Sequence, residues 1–256
     1  MTTAAGAAFN LRRSMILVTF ALPQESRDFR RRLANPQCVP SAGRTLILGK
    51  IADTELAILH TGVGGASASA AIKTALATLS PRIVISSGFA GGLQGKLRLG
   101  DLILATNVSH AELLAQSRAA SGRFRTFYGG LISSPHAVES VEEKAALACS
   151  SGAVAVDMET ASLAAACAAA GVPFLSARAI SDTAQQALPI PFAACFDLLR
   201  QRPRPFSVLC FLARHPQRIL PFARFVRGLG AASAALSEFL IFFLSGENKC
   251  SYDSSR

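Results

Sequence analysis

The stretch Ala153-Val154-Ala155-Val156-Asp157-Met158-Glu159-Thr160 decides the fold, because an apolar run ends in two acids and a helical pattern follows at once. The run 153–156 is typical of a short buried strand. Residues 160–170 are rich in Ala, and Gly171-Val172-Pro173 ends that helical pattern. A strand followed directly by a helix indicates one layer of sheet covered by helices.

The same alternation recurs along the chain. Apolar, β-branched runs predict strands at residues 15–21, 45–49, 55–60, 82–87, 101–106, 153–156 and 173–179. Helical patterns occupy residues 24–33, 66–79, 138–150 and 160–170. We therefore predict an α/β fold in three layers, with a mixed, largely parallel central sheet flanked by helices. In such sheets ligands bind beyond the carboxyl ends of the strands.

Length and composition fit one large domain. The 256 residues are 50% hydrophobic and 16% charged, which is enough for a sizeable core. We expect residues 1–14 to be a disordered extension, residues 15–200 to form the α/β domain, and residues 201–256 to form a basic, apolar, helical C-terminal extension. The six cysteines lie far apart without metal-ligand spacing, so reduced thiols and no metal site are predicted.

The C-terminal segment concentrates the charge of a chain whose formal net charge is +10. Residues 201–227 hold arginines and no acid, interleaved with aromatic and aliphatic residues and cut by four prolines. Two interpretations stay open: short helices packed on the domain with solvated arginines, or contact with an anionic membrane surface.

No run reaches about 18 uninterrupted apolar residues, as a spanning helix needs. No nucleic-acid motif occurs, so no nucleic-acid partner is expected. The apolar run 15–22 lacks a cleavage-like site, so we expect a cytoplasmic protein, with the inner membrane face as a candidate location.

Four further motifs stand at predicted strand ends. They are Thr61-Gly62-Val63-Gly64, Gly88-Phe89-Ala90-Gly91-Gly92-Leu93, Leu99-Gly100-Asp101 and Arg178-Ala179-Ile180-Ser181-Asp182. A glycine turn that opens a helix lets the backbone approach an anion, although such turns also serve only to reverse the chain. An acid at a strand end often caps the next helix, and we interpret Asp157 in this way.

In order and spacing, these motifs together with Val156-Asp157-Met158-Glu159 resemble the purine nucleoside phosphorylase and methylthioadenosine/S-adenosylhomocysteine nucleosidase superfamily. The resemblance implies that Met158 packs on a ribose and that Glu159 accepts hydrogen bonds from its hydroxyls. It also implies that Asp182 faces a purine and that Glu25 orients an attacking water. The remaining substrate-binding candidates are Ser181, Val138, Phe89, Gly91, Gly62 and Gly64.

The chemistry of N-glycosidic cleavage requires such groups independently. Breaking C1′–N9 leaves positive charge on the ribosyl ring and negative charge on the departing base, so a carboxylate at the sugar and an acid at the purine both stabilise the transition state. A partly buried Asp182 would hold or relay a proton near neutral pH. It also favours a 6-amino purine, so adenine is the expected base.

Several residues depart from the family pattern. Phe89 stands where a phosphate-binding Ser or Thr is usual, Val138 where nucleosidases stack an aromatic on adenine, and Gln185 where a second aspartate is frequent. We interpret His110 and His136 as ordinary polar loop residues. The site is therefore expected to be reshaped.

Within the superfamily, the chain most resembles the phosphorylases associated with hopanoid biosynthesis, which are thought to remove adenine from adenosylhopane. A nucleosidase acting on methylthioadenosine or S-adenosylhomocysteine is the alternative, and a non-catalytic nucleoside- or lipid-binding protein is a second. Water and phosphate both stay open as nucleophile. We expect no cofactor apart from phosphate as a co-substrate, a 5′-substituted adenosine as substrate, and a homo-oligomer.

Overall fold

The structure, a computed structural model, describes residues 15–198 and 200–246. The predicted extension 1–14 lies outside the described residues. The strands are β1 (Ile16–Phe20), β2 (Ala34–Ser41), β3 (Arg44–Ile51), β4 (Thr54–His60), β5 (Ile83–Gly92), β6 (Leu102–Ala105), β7 (Thr126–Gly129), β8 (Leu131–Ser133), β9 (Ala155–Asp157), β10 (Phe174–Asp182), β11 (Phe196–Asp197) and β12 (Arg202–Pro203). The helices are α1 (Arg27–Arg30), α2 (Gly65–Leu79), α3 (Ala111–Ser121), α4 (Val141–Ser151), α5 (Thr160–Ala169), α6 (Phe192–Cys195), α7 (Pro205–Arg214) and α8 (Ile219–Gly246), and a 3₁₀ turn spans Pro216–Arg218.

One large mixed sheet organises the chain. Its main order is β2-β3-β4-β1-β5-β10-β6-β7, with β9 paired to both β5 and β8. The central strands β4, β1, β5 and β10 are all parallel, whereas β3 and β6 join them in the antiparallel direction. The predicted mixed, largely parallel sheet is confirmed.

Helices cover both faces of this sheet, as predicted. On one face, α2 and α5 pack Ile72 and Leu163 against Leu17 of β1. On the other face, α8 packs Leu236 and Phe239 against the opposite side of the same strands. Side chains alternate between the two faces of a strand, so each central strand contributes to both cores.

Local predictions differ from the structure in several places, and β8, α6, β11 and β12 were also not predicted. The helix predicted at residues 24–33 is limited to α1, because the backbone before α1 forms a turn in which the Glu25 carboxylate accepts from the N–H groups of Ala21 and Leu22. Strand β2 was not predicted, since it contains two prolines; an edge strand tolerates them. Helix α3 and strand β7 fill residues 111–129, where no element was predicted.

The C-terminal segment forms one long helix after α7, not a set of short helices. Pro221 lies in the first turn of α8, where its missing N–H leaves no helical hydrogen bond unmade. Beyond Gly228 the apolar face of α8 is buried in the core. The described fold therefore continues well past residue 200.

The absence of an uninterrupted apolar run of about 18 residues does not by itself exclude a helix that is long and apolar enough to span a membrane. The helical stretch 216–246 passes that test by length and composition, with a mean hydropathy of 1.6. Half of its apolar window is buried inside the protein, and Leu240 and Leu244 are fully enclosed by the core. This burial is what a core helix shows.

Candidate active site

A cavity of about 410 Å³ opens beyond the carboxyl ends of β1, β5, β9 and β10. Three predicted acids, Glu25, Glu159 and Asp182, line it from three different segments of the chain. Strands β1, β5 and β10 run parallel and end at the same edge of the sheet, so residues distant in sequence meet there.

Glu159 stands at the start of α5 and is held by the backbone. The N–H of Gly64 donates a 2.7 Å hydrogen bond to its Oε1. Burial raises the pKa of Glu159 to about 8, and the nearby Asp157 carboxylate adds to the increase. Both effects favour the protonated form of this carboxyl near neutral pH.

Asp157 accepts from the first N–H of α5, as a capping side chain does, although the N-cap position itself is Glu159, and Asp157 also forms a buried ion pair. Its carboxylate accepts from the Thr160 N–H at 3.2 Å and from Arg178 Nε at 2.9 Å. Arg178 Nη2 donates to Ser86 Oγ at 2.8 Å, so the guanidinium is fixed behind the cavity. A buried ion pair with these additional hydrogen bonds orients the acidic side of the site.

Glu25 closes the turn that follows β1. Its Oε2 accepts from the N–H groups of Ala21 at 2.8 Å and Leu22 at 3.1 Å, and Oε1 accepts from Phe89 N–H at 3.3 Å. Burial raises the pKa of Glu25, while these backbone donors and the Arg178 charge act in the opposite direction. The carboxyl is thus both desolvated and rigidly placed.

A second, much smaller cavity of about 10 Å³ lies between Glu25, Glu159 and Arg178. Two buried hydroxyls at its wall, Thr19 Oγ1 and Ser87 Oγ, have no hydrogen-bond partner in the protein. A space of this size and polarity fits one water molecule.

Asp182 ends β10 with both carboxylate oxygens engaged. Ser181 Oγ donates to Oδ1 at 2.6 Å, and Lys144 Nζ donates to Oδ2. Lys144 is fully buried. The sequence predicts a desolvated Asp182 but does not indicate the cation beside it, since Lys144 looks like an ordinary helical residue.

The substrate-binding candidates separate into two groups. The first group, which lines the main cavity, comprises Met158, Val138, Phe89, Gly91 and Ser181.

A Cβ added at Gly91 would lie 3.1 Å from Asp182 Oδ2, so any side chain at this position would press on the Asp182 carboxylate. The predicted role of Gly62 and Gly64 as an anion cradle does not agree with the structure. Gly62 turns the chain against Ser67 and does not line the cavity, and the Gly64 N–H is already occupied by Glu159.

The two histidines differ in position. His110 is exposed at the start of α3, away from the cavity, whereas His136 lies at the cavity rim and pairs with Glu143 at 2.8 Å. Within the described ranges, no group of three His, Cys, Asp or Glu side chains is placed to hold a metal ion.

Sequence reasoning missed much of the apolar wall. The residues of this wall that the sequence did not indicate lie in the segment after β10 and in α6, β11, β12, α7 and α8. They are Leu188, Pro189, Ile190, Phe192, Cys195, Phe196, Pro203, Val208, Phe222, Phe225, Val226 and Leu229. The interleaved aromatic residues of the tail were the available signal, but their direction depends on how α7 and α8 pack.

Comparisons with known proteins agree with this geometry. The family described as Phosphorylase superfamily matches residues 15–119 and 109–194. A 5′-methylthioadenosine/S-adenosylhomocysteine nucleosidase from Glaesserella parasuis is 30% identical, with 71% of this chain and 91% of that protein covered.

Solved structures share the fold. A nucleosidase of the same name from S. pneumoniae superposes with a TM-score of 0.70 at 19% identity, covering 90% of this chain and 98% of that one. The futalosine hydrolase of Helicobacter pylori gives 0.70 at 20% identity, covering 91% and 97%. The chain therefore belongs to the phosphorylase superfamily and is an enzyme of its nucleosidase and phosphorylase group.

Proposed function

We propose that this enzyme hydrolyses the N-glycosidic bond of a 5′-modified adenosine and releases adenine. The observation that carries the proposal is the convergence of Glu25, Glu159 and Asp182 on one apolar cavity. The relatives named above support the reaction class, because several are nucleosidases or hydrolases by name.

Glu159 and Asp182 have complementary roles in this proposal. Glu159 and Met158 take the ribose. The positive charge that grows on the ribosyl ring favours the ionised form of Glu159, and that carboxylate in turn stabilises the charge. Asp182 and Ser181 take the purine edge, where negative charge grows as C1′–N9 breaks. The carboxylate of Asp182 accepts from the 6-amino group, which favours adenine over a 6-oxo purine.

The small polar cavity supports water as the nucleophile. Its volume of about 10 Å³ suits one water and is too small for phosphate. The hydroxyls of Thr19 and Ser87 provide hydrogen-bond partners, and Glu25 lies at the same wall to act as general base. Phe89 lines both cavities where the resemblance predicts a phosphate-binding hydroxyl.

The apolar wall supports a bulky apolar group on the 5′ carbon. Phe222, Phe225 and Leu229 of α8 line the cavity together with Val208 of α7. A thioether as small as a methylthio group would leave much of this wall uncovered. Adenosylhopane, with a polycyclic lipid on its 5′ carbon, is the substrate we favour. Methylthioadenosine and S-adenosylhomocysteine are the alternatives, favoured by the 30% identical relative.

A cytoplasmic enzyme with a lipid-bearing substrate needs access to a membrane, and we propose that α7 and the start of α8 dock on its anionic inner face. Phe206 and Leu209 of α7 are 76% and 65% exposed, and Ile219 and Leu220 are more than half exposed. Exposed arginines flank them, so apolar insertion and attraction to anionic headgroups act together. The cavity is lined by the same two helices.

Adenine release tests the reaction. Purified enzyme is given methylthioadenosine, S-adenosylhomocysteine and a 5′-decylthio adenosine, each with and without phosphate. We expect phosphate-independent release that is fastest for the long-chain substrate, and a loss of about 10²- to 10⁴-fold in Asp182→Asn. The matched control is Asp101→Asn, since Asp101 is equally buried but pairs with Arg125 away from the cavity.

The outcomes separate the candidate functions. A strict need for phosphate overturns the hydrolytic step, and a preference for methylthioadenosine overturns the bulky 5′ group. No release from any substrate, with none lost in Asp182→Asn, leaves the non-catalytic binding protein as the better interpretation.

Vesicle flotation tests the membrane contact. Deleting residues 201–256 is unsuitable because α8 belongs to the core. We therefore compare Phe206→Asp with Val39→Asp, which changes an exposed apolar residue on edge strand β2. Phe206→Asp should abolish binding to phosphatidylglycerol vesicles and Val39→Asp should not; equal flotation of both variants contradicts the docking.

Oligomeric state is a separate proposal. We propose a homo-oligomer, as is usual in the superfamily, and sedimentation at micromolar concentration measures it. A monomer at that concentration contradicts it.

A further inference from the structure

Lys144 is a buried cation that the proposed reaction does not yet use. It is fully enclosed, and each of its three N–H donors meets an oxygen: Asp182 Oδ2, the Thr183 carbonyl at 3.0 Å and the Gln186 carbonyl at 2.6 Å. It does not line the cavity, so it reaches a substrate only through Asp182.

The position of Lys144 is unfavourable on structural grounds alone. It lies near the N-terminus of α4, where the helix dipole disfavours a cation. Burying an ammonium carries a large desolvation penalty before any pairing is counted, and an apolar side chain of similar length would fill the same space. The pairing with Asp182 is the feature that only a cation provides.

We propose that Lys144 is a positioning residue that supplies Asp182 with the proton passed to the leaving adenine. This inference rests on the proposed function. As C1′–N9 breaks, its electron pair moves onto the purine, and N7 takes a proton from Asp182. The Asp182 carboxylate takes a proton from the Lys144 ammonium, and the neutral amine regains one from water through Asp182 once adenine has left.

The pairing of Lys144 with Asp182 provides a source for the proton that the leaving adenine needs. Asp182 Oδ2 accepts from the Lys144 ammonium, so a proton can pass to Asp182 along this hydrogen bond as the base departs. A general acid is effective when it carries its proton at the working pH, and an ammonium does so well above the range in which a carboxyl does. The pair combines a carboxylate that contacts the purine with an ammonium that stores the proton.

The other titratable groups near Lys144 and Asp182 lie either at the cavity rim and the start of α4 or in a separate network on the ribose side. His136 and Glu143 pair with each other at the exposed rim, and Glu142 and Glu139 flank the start of α4. The network on the ribose side comprises Glu25, Asp157, Glu159 and Arg178.

A pH profile of Lys144→Met tests the inference. Without the ammonium, Asp182 must hold its own proton, so we expect kcat within about threefold of wild type at pH 5 and about 10²- to 10³-fold below it at pH 8. A 4-nitrophenyl riboside is the second substrate, because its phenolate departs without a proton. With this substrate Lys144→Met should stay within about threefold of wild type at every pH.

A double variant shows whether Lys144 acts through Asp182. In the Asp182→Asn background, adding Lys144→Met should cause no further loss of adenine release. An unchanged pH profile in Lys144→Met, or equal losses with both leaving groups, overturns the inference and leaves a purely structural lysine. Failure of wild-type enzyme to release adenine would instead overturn the proposed function.

Discussion

Replacing Glu159 by glutamine should stabilise the folded protein, and by more as the pH rises. The side chain is buried, with 8% of its surface exposed, and its pKa is raised from 4.5 to about 8 by burial and by Asp157. A carboxyl whose pKa is higher in the folded state stabilises the fold while it is protonated. That contribution is complete below the unfolded-state pKa and is lost as pH rises through about 8.

The size of the effect follows from the two pKa values. The buried Glu159 carboxyl lowers the free energy of unfolding of the wild type as the pH rises. Compared with acid conditions, the loss is about 1 kcal/mol at pH 5 and about 3 kcal/mol at pH 7. Glutamine carries no charge, and its carbonyl can still accept the hydrogen bond from Gly64. Glu159→Gln should therefore unfold about 6 °C higher than wild type at pH 7.

Thermal unfolding followed by circular dichroism at pH 5, 7 and 8.5 measures the difference. Glu112→Gln is the control, since it removes the same charge from an exposed position in α3. Its unfolding temperature should track wild type at all three pH values. A gap between Glu159→Gln and wild type that does not widen from pH 5 to pH 8.5 refutes the reasoning.

Three further substitutions test other parts of the site. Glu25→Gln should lower kcat for adenine release by about 10²- to 10⁴-fold with little change in KM, and an unchanged kcat would exclude Glu25 as the base. Ser87→Ala should lower kcat by about 2- to 10-fold, the value of one hydrogen bond to the water; steady-state kinetics showing no change would place the water elsewhere. Phe225→Ser should raise KM for a 5′-decylthio adenosine by about 10-fold or more but leave methylthioadenosine unaffected, since only the long chain reaches α8; equal effects on both substrates would contradict the assignment of the apolar wall.

The sequence by itself determined the sheet, its helical cover and the strand ends that carry Glu159 and Asp182. These features depend on local patterns: β-branched runs, alanine-rich helices, and motifs that directly follow a strand. Asp157 as a helix cap belongs to the same class, because a cap and its helix are neighbours in the chain.

Only the tertiary structure decided which side chains surround those acids. Lys144 and Asp182 are separated by 38 positions, and nothing local to Lys144 distinguishes it from a solvated lysine. Gly62 and Gly64 have the pattern of an anion cradle, yet the packing of α5 brings Glu159 to the Gly64 N–H. The tail likewise shows its arginines and aromatics in sequence, but the direction of Phe225 toward the cavity depends on the burial of α8 against the sheet. Local patterns fix elements because their interactions are close in the chain, whereas charge pairing and cavity walls arise between segments that only the folded core brings together.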